Sequence, residues 1–124
     1  MAAVATTAGV DGFIAGLRAF GIAAAADAAA DTGIVVFTVV ATGRSGTLTT
    51  HTGVAIAELA AWPAVPPHWV HFPATVQFTN TNISLEETLP GWVRHSRQVN
   101  GWGDAKEPAQ AWLAHLRRVL QDAA

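Results

Sequence analysis

The sequence predicts an α+β fold, an antiparallel meander sheet with one helix before it and one after it. Three observations carry that expectation. Ile34 to Ala41 (IVVFTVVA) is an unbroken apolar run rich in β-branched residues and bounded by turn signals. Trp112, Leu113, Leu116, Val119 and Leu120 recur at helical spacing near the C-terminus. Between these elements, Trp62-Pro63-Ala64-Val65-Pro66-Pro67 holds three prolines, which forbid regular structure there.

Taken in order, the first element is a helix over 11–28. Asp11 is its candidate cap, and Phe13, Ile14, Leu17 and Phe20 form one apolar face. Gly12, Gly16 and Gly21 each weaken it by up to ~1 kcal/mol, so packing must hold it. Asp31-Thr32-Gly33 reads as a stop. After the strand at Ile34–Ala41, Gly43-Arg44-Ser45-Gly46 turns the chain, and Thr47 to Leu59 returns antiparallel. Gly53 marks a bulge or a break in that return. Past the prolines, a short strand is expected at Trp69–Phe72 and a further one at Thr75–Phe78. Residues 79–103 lack periodicity and read as a long functional loop. Asp104 with Glu107 resembles a capping box, Pro108 sits in the first turn, and the closing helix spans 104–122. Ile34, Val36, Val40, Ile56, Leu113, Leu116 and Leu120 are the expected core.

The chain has 124 residues, one domain's worth over 1–124, with no repeat or linker. It is 51% hydrophobic and 13% charged, with a formal net charge of −2. Nucleic-acid binders show a basic excess; here the single basic cluster is Arg117-Arg118, so no nucleic-acid partner is expected. The absence of cysteine excludes disulfides, thiol chemistry and Cys-based zinc sites. The N-terminal stretch lacks a signal-peptide pattern, and no run approaches the ~20 apolar residues of a membrane span. A cytoplasmic protein without a membrane partner is expected.

Trp62-Pro63-Ala64-Val65-Pro66-Pro67 followed by Trp69-Val70-His71-Phe72 resembles the aromatic-Pro-x-x-Pro-Pro signature and following strand of the ubiquitin-conjugating enzyme fold. The order of helix, meander, proline stretch, irregular segment and helix is similar to that fold. Gly91-Trp92-Val93-Arg94-His95-Ser96-Arg97, then Trp102, then the Trp112–Leu120 helix, resembles a bacterial branch of the superfamily. That branch is encoded beside ubiquitin-like proteins, activating enzymes and peptidases. The resemblance covers about residues 8–122. It implies a ubiquitin-like protein and an activating enzyme as partners, and no cofactor. The chain departs from the family in two places: the catalytic Cys is absent, and the His-Pro-Asn motif is reduced to Asn82-Ile83 after Thr81.

If Trp102 is the family's Trp, the nucleophile window falls at Arg94 to Ser96. Ser96 is then the candidate nucleophile and His95 its candidate base or orienting group, because a hydroxyl is barely ionised near neutral pH and needs help. Adjacent residues point to opposite sides of an extended chain, so these two would pair only in a turn. Asn82 is a candidate oxyanion donor, or else closes an Asx-turn. Trp92, Arg94, Arg97 and Trp102 are candidate partner contacts, with core packing and surface salt bridges as the plainer roles. His68, His71 and His95 stand at no recognised ligand spacing, so no metal is expected. Three functions remain open: a conjugating-enzyme-like component carrying a modifier as an ester on Ser96, a catalytically silent docking module of the same fold, and an unrelated α+β binding domain.

Overall fold

β1 (Ile34–Gly43) and β2 (Gly46–Ala55) pair antiparallel over their whole length, from Ile34 opposite Ala55 to Gly43 opposite Gly46. Arg44-Ser45 close the hairpin, and Gly46 takes a φ of 111°, open to glycine and strained for other residues. β3 (Trp69–Pro73), β4 (Ile83–Ser84) and β5 (Trp92–Ser96) complete a five-stranded antiparallel sheet in the order β1-β2-β3-β5-β4. The first three strands follow one another as a meander; the last two exchange places, leaving the two-residue β4 at the edge. Helix α1 (Gly9–Ala19) precedes the sheet and α2 (Pro108–Leu120) follows it. The computed structural model describes residues 8–24, 31–79, 82–104 and 106–124.

The N-terminal helix is shorter than its periodicity predicts. It starts at Gly9 with Ala8 as cap, and Asp11 sits in the first turn, making no capping bond. It ends in a Schellman motif: Ile22 N–H donates to Leu17 O and Gly21 N–H to Arg18 O, each at 3.0 Å, with Gly21 at φ 78°. Gly21 thus ends α1, while Asp31 and Thr32 are again helical and Gly33, at φ 79°, follows them, so the stop read at Asp31-Thr32-Gly33 falls there too. Residues 22–24 are not helical, and 25–28 of the expected helix lie outside the described residues. Gly16 has a positive role, since a Cβ there would come within 2.8 Å of Ala109 Cβ where α1 crosses α2.

In β1 the burial phase is opposite to part of the expected core. Val35, Phe37, Val39 and Ala41 are buried, Val36 is half-buried, and Val40 is 54% exposed. A run of apolar residues fits a strand in either phase, and only packing selects the inner one. Ile34, Leu113, Leu116 and Leu120 are buried as expected; Ile56 is half-buried. Gly53 is no bulge, because it stays in register opposite Val36 and His71. A Cβ there would lie 2.6 Å from Ile34 Cγ2, so the glycine lets neighbouring strands approach closely. β2 ends at Ala55, and a 3-10 turn over Ile56–Leu59 delivers Leu59 into the core.

Thr75–Phe78 forms a turn, with one bridge from Phe78 to Ala123, where a strand was expected. The segment read as a loop, 79–103, holds β4 and β5. The capping box does not form: Asp104 ends a 3-10 turn (Trp102–Asp104), and α2 begins at Pro108 after Glu107, which makes no side-chain cap. One hydrophobic cluster joins both helices to the sheet through Phe13, Leu17, Phe37, Trp62, Phe72, Trp112 and Leu116. No helix among the described residues is long and apolar enough to cross a membrane.

Candidate functional site at the end of the β3–β5 ladder

β5 runs extended beside β3, with Trp92 opposite Pro73 and Ser96 opposite Trp69. Strand alternation sends Trp92, Arg94 and Ser96 to one face and Val93 and His95 to the other. The inner face carries Val70 and Phe72 in the core, so Ser96 belongs to the outer one. Two backbone bonds fix this end of the ladder. Ser96 N–H donates to Asn82 O at 2.9 Å, and Arg97 N–H donates to His68 O at 3.1 Å.

His68 stands here with its Nε2 2.5 Å from Ser96 Oγ. Its ring meets the edge of Trp69 at 5.4 Å, and both residues are held from below by Glu58. That carboxylate accepts the backbone N–H of His68 at 2.9 Å and that of Trp69 at 3.3 Å. A serine hydroxyl in contact with an imidazole nitrogen is the arrangement that general-base activation requires. In such an arrangement an imidazole can accept the hydroxyl proton as the oxygen attacks a carbonyl carbon.

His95 does not share that role. It is buried, its ring lies 4.2 Å from Phe78 and 5.8 Å from Phe72, and its Nδ1 has no partner. Burial, reinforced by the charge of Arg97, lowers its pKa to about 4, so it is neutral at pH 7. Adjacent residues diverge here as an extended chain requires, and the imidazole beside Ser96 comes from the bend just before β3. Proximity in sequence pointed to His95, whereas the contact is made by His68, which was legible only as a metal candidate.

The remaining candidates spread around this corner. Asn82 is exposed, and its backbone carbonyl is occupied by Ser96. Arg94 lies over the Trp69 ring at 4.0 Å and pairs with Glu87 at 3.2 Å. On the same face His71 Nδ1 is 2.8 Å from Thr88 Oγ1. Burial first, then Arg94 and His95, lowers the His71 pKa to about 4. Arg97 turns to the opposite face, toward Phe78, with its guanidinium donating to Ser96 O at 2.8 Å. Trp92 is half-buried at the start of β5. Trp102 is half-buried, packs on Trp62 at 5.3 Å and donates its indole N–H to Pro63 O at 2.8 Å. It clamps the proline turn, whose Trp62-Pro63 bond is cis.

Among the described residues no three His, Asp or Glu side chains are placed to hold a metal ion. No family model, curated protein or solved structure matches the chain.

Proposed function

We propose that the chain is a conjugating-enzyme-like component of a bacterial, cytoplasmic ubiquitin-like modification pathway, and that it carries the modifier's C-terminal carboxyl as an ester on Ser96. The contact between Ser96 Oγ and His68 Nε2 carries this reading. In the forward step Ser96 Oγ bonds to the carbonyl carbon of the modifier's thioester on the activating enzyme. His68 takes the hydroxyl proton and returns it to the departing thiolate. Attack by a target amine then reverses the roles and releases the serine. Arg94 and Trp92 share the face on which the modifier would lie, next to exposed Asn82.

The test mixes the chain with activating enzyme, modifier and ATP. An adduct is expected that survives thiols and is cut by mild base, as an oxygen ester is. Ser96→Ala removes it, and His68→Ala slows its formation by ~100-fold. No adduct with both authentic partners present would overturn the transferase.

A docking module without chemistry is the second reading, favoured by a specific feature. Leu85 is 73% exposed and Ile83 48% exposed at the sheet edge beside the site. Apolar side chains at an edge strand suit a protein partner. Trp92→Ala would then weaken binding of the modifier or activating enzyme by ~2 kcal/mol if that ring anchors the contact. Unchanged affinity by calorimetry would remove Trp92 from the interface.

A further inference from the structure

Where the segment after β5 meets α2 lies a cleft of about 640 Å³. Its lining includes Arg97, Gln98 and Asn100 from the segment after β5, and His115, Arg118 and Asp122 from α2 and the residue pair beyond it. The volume falls in the range of small-molecule sites. The polar lining is what makes it informative. His115 is only 5% exposed, yet its Nε2 has no hydrogen-bond partner. A buried ring nitrogen left unpaired is destabilising by an amount comparable to a lost hydrogen bond, and such groups are rare in native proteins. Two guanidinium groups share the cleft with it. The one carboxylate present, Asp122, already accepts from Thr79 through both oxygens: the backbone N–H at 3.1 Å and the hydroxyl. Counting Arg97, Arg118 and Asp122, the cleft holds one net positive charge in a chain whose net charge is −2.

We propose that this cleft binds a small organic anion, a phosphate or carboxylate, whose oxygens sit between Arg97 and Arg118 and accept the Nε2 proton of His115. Gln98 and Asn100, with both donors and acceptors, suit the polar remainder of such a ligand. Charge-assisted bonds to arginine are the strong kind, and a forked guanidinium matches either oxyanion. This site does not use the Ser96 hydroxyl: Ser96 is not in the lining, and Arg97 meets it only through the backbone carbonyl.

Histidine ring resonances, followed by NMR while inorganic phosphate or acetate is added separately, test it. A bound anion near the two arginines offsets the burial and positive charge that hold the His115 pKa near 4, so its titration moves upward. Saturable shifts at His115 are expected with at least one probe, and which probe acts assigns the head group. Arg118→Gln should weaken binding about tenfold. Arg117→Gln makes the same change in net charge, but its guanidinium Nε donates to Val40 O on another face, so binding should hold. Absence of saturable shifts with both probes overturns the proposal. Equal weakening by the two variants also overturns it, since a general field effect would then explain the result.

Discussion

The two faces of the β3–β5 ladder are built on different physical terms. The inner face meets the helices through Phe72 and Val70, within a cluster that includes Trp112, Phe13 and Leu116, all at 0% exposure, with His95 buried on the same face. The outer face carries Trp69, His71, Arg94 and Ser96, and is covered by the segment between β4 and β5. That cover is held by directional contacts: Thr88 to His71 and Glu87 to Arg94. Apolar burial on the first face is insensitive to which side chain gives which contact. The second face depends on a few pairs, and it leaves His71 Nε2 and Arg94 Nε without partners. A surface organised this way adds little to stability, whereas the opposite face holds the fold.

Acid should produce the largest effect and act on both faces. His71, His95 and His115 titrate near 4 when folded, against 6.5 for an unperturbed histidine. Below pH 6.5 the unfolded chain therefore binds protons that the folded one excludes. The contribution of these groups is complete above that pH and is lost as the pH falls toward 4. With three such groups the slope approaches about 4 kcal/mol per pH unit. Urea midpoints measured between pH 7 and 4 should fall steeply, and a flat profile would show the histidines to be solvated.

Trp112→Ala strikes the inner face alone. Removing a fully buried indole should destabilise by about 3–5 kcal/mol. A loss under 1 kcal/mol would mean that the helix layer contributes far less than its burial implies.

Gly53→Ala tests the junction of β1 and β2. The new methyl would meet Ile34 Cγ2 at 2.6 Å, with Val35 O at 3.4 Å behind it, and should cost about 1–3 kcal/mol. Thermal unfolding reads the change; a stabilised protein would show that the strands yield freely there.

Thr88→Val removes one outer pair, the bond to His71 Nδ1. About 1 kcal/mol is expected, with faster amide exchange over 84–91 and none in α2. Exchange rising equally in α2 would erase the distinction between the faces.

Ser96→Ala should be the mildest for stability, within about 0.5 kcal/mol, because its hydroxyl pairs with an exposed ring. A larger loss would assign the pair to the fold instead of to chemistry.

Much of the architecture was legible in the chain. The β-branched run at 34–41, the turn at Gly43–Gly46, the proline block and the apolar stripe of α2 each encode an element through local chemistry. The end of α1 was not read: its signal at Gly21 lies outside the apolar periodicity that extended the expected helix to 28. β4 and β5 were not legible: Trp92-Val93-Arg94-His95-Ser96 puts a charge and an imidazole among its apolar residues, and it becomes a strand because β3 offers it a ladder. The same cause separates the candidate site from its sequence reading. The sequence by itself determined that no thiol is available, and the resemblance it carries singled out Ser96 in a window near Trp102. Only the tertiary structure decided which histidine stands beside it. In an extended strand neighbouring side chains diverge, so His95 is committed to the core by the same geometry that leaves Ser96 on the outer face beside His68, a residue 28 positions away in the chain.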